Sequence, residues 1–218
     1  YRWGAAYPKG KSQALSNAFV AAIERFGGKV SLGTGVKQIL VEGGRATGVI
    51  TDQEEHLRAD VVVSNASPHT TCLDLLPAEV VPERYLKRIA ASKKSLGSVC
   101  VYLGLAGSAE ELGLEDHEVF ISRSTDLEAH YRSYQDVVAP ESYLLGCYNA
   151  TDPDFSPRGT AVAVLVSLAD GAAWQRVNPA DYPREKERIA QHMLDDANQH
   201  FPGLKDAVEV VEVSTPIT

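Results

Sequence analysis

The segment from Val30 to Pro68 constrains the fold of this chain more than any other part of the sequence. Short strand-like pieces, divided by the turn Gly43-Gly44, lead into the apolar run from Asp60 to Ser64 and then into a small-residue turn. Two glycines between strand patterns readily adopt the positive φ values of a tight hairpin, which predicts antiparallel strands on either side. The run 60–64 is apolar on both faces, which is typical of a strand covered by helices on each side of its sheet.

This order of elements is how one half of a dinucleotide-binding domain closes. The other half is expected to be absent, because no Gly-x-Gly-x-x-Gly precedes a predicted helix within the 218 residues. The nearest match, Gly33-Thr34-Gly35, leads into a strand, whereas phosphate-binding glycines act at a helix N-terminus. The chain also begins at Tyr1 and stops just after a strand pattern, so we interpret it as the central part of a longer protein.

The remaining periodicity predicts a mixed α/β chain. Apolar residues recur every three or four positions from Ser12 to Phe26, which indicates an amphipathic helix closed by Gly27-Gly28. Further helices are predicted from Ser67 to Leu76, after Pro82, and from Tyr182 to Phe201. Strands are predicted at 29–32, 35–41, 45–51, 56–58, 60–64, 99–105, 118–122, 143–148, 160–168 and 208–213.

Composition excludes several classes of function. The formal net charge of −8 and the scattered basic residues argue against a nucleic-acid partner. No apolar run approaches the roughly 20 residues that cross a bilayer. The three cysteines form no Cys-x-x-Cys pair and are predicted to be buried thiols in a reducing, cytoplasmic setting, with peripheral membrane contact of the whole protein left open. The six histidines are dispersed, and no metal site is predicted.

Several motifs, in this order and spacing, resemble the middle of phytoene desaturase-like flavoproteins, which belong to the FAD-dependent amine oxidases. They are Tyr7-Pro8-Lys9-Gly10-Lys11-Ser12, Gly27-Gly28, Val36-Lys37-Gln38-Ile39, Gly48-Val49, Asp60 to Pro68, Asp152-Pro153, Pro157-x-Gly159, Phe201-Pro202-Gly203-Leu204 and Thr215-Pro216-x-Thr218. The resemblance covers nearly the whole chain. It implies a partial Rossmann-like FAD-binding domain at 1–67, a mixed-sheet substrate-binding domain with flanking helices at 68–213, and a return to the FAD domain at 214–218.

The resemblance implies that the whole protein is an FAD-dependent oxidoreductase, transferring hydride from an apolar small molecule to the flavin. The chemistry then belongs largely to the cofactor, so no catalytic residue is predicted. This chain alone is expected to be inactive and to self-associate through unpaired sheet edges. Two alternatives stay open. One is an amine or amino-acid oxidase, favoured by an aromatic pair or an anion-binding arginine in the cavity, and the other is a non-catalytic binding module on the same scaffold.

The resemblance also implies cofactor-binding residues, namely Gly10, Lys11, Val36, Ser64, Asn65 and Ala66. Val36 corresponds to the strand position whose backbone amide and carbonyl meet the adenine of FAD, or else is an ordinary core residue. The small residues that follow the run 60–64 stand where α/β sheets bind ligands, or else form only a compact turn.

Gly10 matches the first of two glycines that the family often carries near the flavin ring, and Lys11 stands at the second position. This lysine either offers a positive charge to the reduced flavin or to an acidic substrate, or is simply solvated. In the later sheet, a set of alternating apolar residues either lines a cavity or forms an ordinary core. That set is Val99, Val101, Leu103, Leu105, Tyr143, Leu145 and Tyr148.

Overall fold

A computed structural model of the chain describes residues 7–92 and 95–218, and within them the chain forms two compact units. The larger unit contains residues 7–19 and Ser95–Thr218, and the smaller unit contains residues 20–92. Residues 1–6, with which the predicted first domain begins, lie outside the described residues. The predicted domain boundary near residue 67 stays a prediction.

The helices follow the sequence periodicity closely, and two of them were not predicted. The α-helices are α1 (Lys11–Arg25), α2 (Glu83–Ala90), α3 (Leu127–Tyr134), α4 (Gly171–Gln175) and α5 (Tyr182–His200). A π-helix at Thr70–Leu75 replaces the helix predicted after Ser67, whose Oγ accepts a hydrogen bond from the Thr70 amide. Short 3-10 helices lie at Ala78–Val80, Tyr148–Ala150 and Pro153–Phe155. The unpredicted helices are α3 and α4.

The smaller unit contains an antiparallel meander. Its strands are β1 (Val36–Glu42), β2 (Arg45–Thr51) and β3 (His56–Arg58), in that order across the sheet. Gly43 and Gly44 join the first two strands with φ values of 58° and 78°, a conformation that is strained for other residues. The predicted hairpin is confirmed.

The predicted strand at 60–64 is wrong, and so is the short strand at 29–32. Residues 60–64 have no ladder partner among the described strands, and Val61 and Val63 are 73% and 89% exposed. A strand that is apolar on both faces is stable only between neighbouring strands and under covering helices. The described part of the chain supplies neither to this segment.

The larger unit is built on a five-stranded sheet in the order β5-β6-β7-β4-β8. Its strands are β4 (Gly97–Ala106), β5 (Glu118–Ser122), β6 (Ser142–Cys147), β7 (Thr160–Ala169) and β8 (Val208–Ser214). Every neighbouring pair is antiparallel, so the sheet is not mixed as predicted. The broader prediction of a chain that combines helices with strands is confirmed.

One face of this sheet forms the hydrophobic core. Met193 and Ala197 of α5 are completely buried there, and Trp174 of α4 is 1% exposed. The alternating residues predicted as either core or cavity lining belong to this face, with Tyr148 as the exception: Val99, Val101, Leu103, Leu105, Tyr143 and Leu145 are all buried in one cluster. The core alternative is therefore confirmed for these residues.

Candidate functional site

The opposite face of the five-stranded sheet carries apolar side chains that remain partly exposed. Side chains along β4 alternate between the two faces of the sheet, which places Cys100 and Tyr102 on this face. Cys100 pairs with Val166 of β7, and Val166 pairs with Leu144 of β6, so the face extends across three strands. Tyr102 and Leu168 are 45% and 49% exposed. We name Cys100, Tyr102, Leu144, Val166 and Leu168 the open face.

An aromatic cluster lies beside the open face, immediately after strand β6. It consists of Tyr7, His117, Tyr148 and Phe155, and we use this name for these residues below. The rings of Tyr148 and Phe155 are stacked with centroids 4.7 Å apart, and Tyr7 lies 5.6 Å from Tyr148 and 4.9 Å from His117. The Thr151 hydroxyl is 2.9 Å from Nδ1 of His117 and orients that ring.

Electrostatics link the aromatic cluster to the open face. Burial raises the pKa of the Tyr148 hydroxyl, and the neighbouring Tyr7, Tyr102 and Cys100 raise it further. Tyr148 is therefore close to the open-face residues of β4 and stays neutral at physiological pH. The aromatic rings at this end of the sheet are uncharged, and the charged side chains beside them are Glu118 and Lys11.

Gly10 and Lys11 form a turn with left-handed backbone, since their φ values are 84° and 70°. Glycine adopts such values without penalty and lysine rarely does, so Lys11 holds an unfavourable backbone conformation. The Lys11 side chain is exposed, yet its Nζ donates a hydrogen bond to the Phe155 carbonyl at 2.9 Å. Nζ also lies 4.5 Å from the centroid of the Phe155 ring. The lysine is thus anchored by the aromatic cluster and is not freely solvated.

Val36 lies at the outer edge of the meander with its backbone polar groups directed away from the sheet. The Asp52 amide donates a hydrogen bond to the Gly35 carbonyl, and the Thr51 amide donates one to the Glu55 carbonyl. Val36 and Thr51 therefore lie opposite each other in the ladder without hydrogen bonds between their own backbones. The Val36 N–H and C=O consequently point outward from β1, which has no second neighbouring strand among the described residues. Such a free donor and acceptor pair fits the recognition of a planar heterocycle edge.

Ser64, Asn65 and Ala66 are exposed in the same unit. Ser64 Oγ lies 2.8 Å from Thr71 Oγ1 in the π-helix, and this helix contacts strand β1. The structure therefore brings the Ser64 turn and the strand of Val36 into one unit. Gly10 and Lys11 belong to the larger unit, and their assignment with the others to one cofactor site stays a prediction.

A second polar cluster lies on the core side of the sheet, away from the open face. Asp196 of α5 accepts hydrogen bonds from the Tyr143 hydroxyl at 2.9 Å and from Arg123 at 2.7 Å. Burial disfavours the Asp196 carboxylate, but these two hydrogen bonds outweigh it and lower the pKa. Burial, reinforced by Asp196, raises the pKa of Tyr143. Both carboxylate oxygens of Asp196 and the Tyr143 hydroxyl are paired within this cluster, which indicates a structural role.

The family model for flavin containing amine oxidoreductases matches residues 2–215. The chain belongs to this family. The predicted resemblance to phytoene desaturase-like members is also confirmed by individual relatives. A Neurospora crassa phytoene desaturase is 33% identical over 73% of this chain and 28% of its own length. Two zebrafish proteins, an all-trans-retinol 13,14-reductase and an inactive all-trans-retinol 13,14-reductase, are 28% and 30% identical over 100% and 98% of the chain.

The chain spans 39% of the length of both zebrafish relatives. Solved structures of similar fold cover 94% of the chain. An oxidoreductase from Methanosarcina mazei superimposes with a TM-score of 0.59 at 20% identity, and a Pyrococcus furiosus protein with 0.63 at 14%. At these identities the likeness establishes the fold.

Sequence reasoning missed the residues that surround the predicted flavin-side turn. Tyr7 and Phe155 are separated by more than half the chain, and no local pattern could pair them. The open face could be predicted from the sequence, because Ser98, Cys100 and Tyr102 alternate with the strongly apolar positions of β4. In the described ranges, no three His, Cys, Asp or Glu side chains are grouped closely enough for a metal ion. No helix in the same ranges is both long and apolar enough to cross a bilayer.

Proposed function

We propose that the whole protein is an FAD-dependent oxidoreductase acting on an apolar small molecule. The observation that carries this proposal is an uncharged, partly exposed sheet face beside an aromatic cluster, in a chain of the flavin-containing amine oxidoreductase family. FAD, when bound, supplies the hydride acceptor. The described residues are assigned to binding and orienting the ligands and to excluding water from them.

For the cofactor, we assign Val36 to adenine recognition through its outward N–H and C=O. A backbone contact of this kind is compatible with any side chain suited to a strand, and the edge position leaves both groups free. We assign Ser64, Asn65 and Ala66 to close approach of the cofactor, since small exposed residues leave room for it. Gly10 and Lys11 are assigned to the flavin side.

For the substrate, we assign the open face. None of its residues carries a charge, and the acidic residues in the same rows, Glu118 and Glu212, lie on the two edge strands. An apolar ligand on this surface removes apolar area from water without leaving a buried charge unpaired. The relatives' names refer to retinol and phytoene, both largely apolar molecules, which supports the same class of substrate.

The amine oxidase alternative is weakened by Lys11. The stacked pair Tyr148 and Phe155 is the kind of aromatic pair that would favour an amine substrate, but the Lys11 ammonium already lies against Phe155. A protonated amine would have to displace a like charge to reach this ring. The rings of Tyr7 and His117 also contact Tyr148, with centroids 5.6 and 5.7 Å from its own.

The decisive test uses the longer protein that contains this chain, purified without added cofactor. We expect flavin absorption bands that are released as free FAD on denaturation, and bleaching of those bands by an apolar polyene or its saturated product. Tyr102→Ala is expected to raise KM for that ligand several-fold and to leave the flavin content unchanged. Tyr131→Ala removes a comparably exposed tyrosine from α3 and is the matched control. Equal KM values for both variants would remove the open face from the proposal.

A non-catalytic binding protein is the second candidate, because one relative at 30% identity is named as an inactive reductase. This candidate predicts that the apolar ligand binds without any change in the flavin bands. We further propose that this chain alone is inactive and self-associates through the sheet edges β5 and β8. Sedimentation as a strict monomer at high concentration would contradict the self-association.

A further inference from the structure

A cavity of about 520 Å³ lies in the larger unit, at the end of the sheet where Ala106 of β4 pairs with Thr160 of β7. Residues of two segments line it, 108–115 after strand β4 and 149–160 between β6 and β7. Pockets that hold small ligands have volumes of about 300 to 1,000 Å³, so this cavity is large enough for one. None of its lining residues belongs to the open face or is assigned to FAD.

The first lining segment is held in shape by its own hydrogen bonds. The Ser108 amide donates to the Glu111 carboxylate at 2.8 Å, and the Glu111 amide donates to the Ser108 hydroxyl at 3.3 Å, as in a capping box. Leu114 is 1% exposed and anchors the segment in the hydrophobic core. The Gly107 amide donates to the Gly159 carbonyl at 2.9 Å, which joins the two segments beside the cavity.

The second lining segment is held by a buried asparagine. The Asn149 side-chain amide donates to the Ser156 hydroxyl at 2.9 Å, and that hydroxyl donates to the Thr160 carbonyl at 3.0 Å. The amide and the hydroxyl of Thr160 both donate to the Pro157 carbonyl, which closes the turn before β7. Both segments are therefore ordered before a ligand binds, and such preorganisation lowers the entropic cost of binding.

The cavity combines apolar surface with charges of both signs. Its apolar lining includes Leu114, Ala150 and Pro153. Glu110 and Glu115 line it from the first segment, and Arg158 lines it from the second. All three charged residues are exposed, and within the described part of the chain none of them takes part in an ion pair. Two carboxylates and one guanidinium are thus available to a ligand.

We propose that this cavity binds a small zwitterion with an apolar body, of the class of short peptides. A ligand ammonium group suits Glu110 and Glu115, and a ligand carboxylate suits the forked guanidinium of Arg158. A ligand of one sign would meet a like charge on one of the two segments, whereas a zwitterion satisfies both. The volume of the cavity favours a peptide of a few residues over a single amino acid. The site is additional to the proposed function and independent of it.

The experiment titrates the tripeptide glycyl-leucyl-glycine into the longer protein that contains this chain, with binding measured by isothermal titration calorimetry. We expect saturable binding of one peptide per chain. Acetylation of the peptide amine or amidation of its carboxylate should each weaken binding about tenfold or more, because each removes one charged group and its charge-assisted hydrogen bonds.

Variants assign each end of the peptide to its segment. Arg158→Gln should weaken binding of the free peptide about tenfold and leave the affinity for the amidated peptide unchanged. The double variant Glu110→Gln with Glu115→Gln should show the opposite pattern, with an unchanged affinity for the acetylated peptide. Arg176→Gln removes an exposed arginine next to α4 and should bind all three peptides as the wild type does.

Misfolding cannot produce the expected pattern, since each variant should retain its affinity for one of the blocked peptides. Absence of saturable binding at millimolar peptide would overturn the proposal. Equal affinities of the free and the blocked peptides would also overturn it, because the charges of the cavity would then play no part. Neither result affects the proposed function, which depends on the flavin bands and on the open face.

Discussion

The Tyr143 hydroxyl donates a hydrogen bond to Asp196 Oδ2 at 2.9 Å, joining strand β6 to helix α5 within the core. The other carboxylate oxygen accepts from Arg123 at 2.7 Å. The Asp196 side chain is only 7% exposed, whereas that of Arg123 is 46% exposed. The buried carboxylate is thus satisfied by one internal donor and one donor at the surface, and it ties the five-stranded sheet to helix α5.

Asp196→Asn should destabilise the protein by about 2–3 kcal/mol. The new amide N–H group faces either Tyr143 or Arg123, both of which are donors, so one hydrogen bond is lost and a buried donor is left without an acceptor. Urea unfolding measures this change in the free energy of unfolding. The neighbouring Asp195 is half-exposed and pairs with Lys205, so Asp195→Asn should cost less than about 1 kcal/mol. Equal effects of the two substitutions would contradict the structural role of the buried cluster.

The same carboxylate predicts a pH dependence of stability. Because the pKa of Asp196 is lowered in the folded state, its contribution is complete above the ordinary value of about 3.9 and is lost as pH falls through the folded value. The difference in unfolding free energy between wild type and Asp196→Asn should therefore be constant near neutral pH and shrink below about pH 4. A difference that stays constant down to about pH 2 would show that the charge of Asp196 does not contribute.

Gly48 is required by close packing within the meander. A Cβ at this position would lie 2.1 Å from the Leu57 carbonyl oxygen, so alanine must displace strand β3. We expect Gly48→Ala to cost about 2–4 kcal/mol in the smaller unit. Gly33 has a φ of 62° with no atom within 4 Å of the position that a Cβ would occupy, so Gly33→Ala should cost only about 1 kcal/mol. Amide hydrogen exchange of residues 56–58 distinguishes the two, and unaltered protection in Gly48→Ala would contradict the prediction.

Val36→Pro tests backbone recognition of the cofactor. Proline removes an amide that points away from β2, and an outward position on an edge strand tolerates proline. We expect FAD affinity of the longer protein to fall up to about tenfold, the loss of one hydrogen bond, with circular dichroism unchanged. Val36→Ile keeps the amide and should bind FAD normally. Equal affinities of the two variants would remove Val36 from the cofactor site.

Sequence reasoning succeeded where local signals suffice and failed where they do not. The turn Gly43-Gly44 and helix α5 were predicted nearly to the residue, because turn-forming residues and apolar periodicity are local features of the sequence. Helix α3 was missed because it has only eight residues, and its start depends on Asp126, whose side chain accepts from two backbone amides. The strand at 60–64 was predicted from composition alone, and a strand exists only with a hydrogen-bonded neighbour.

The sequence by itself determined the family, the meander with its glycine turn, and the alternation that gives each strand of the larger sheet two distinct faces. It could not decide which face is covered, because both faces of β4 carry apolar residues and the answer depends on where helix α5 packs. Only the tertiary structure placed Phe155 against Lys11, a contact between residues 144 positions apart. Contacts at such separation are set by the packing of whole elements, and no local pattern in the chain encodes them.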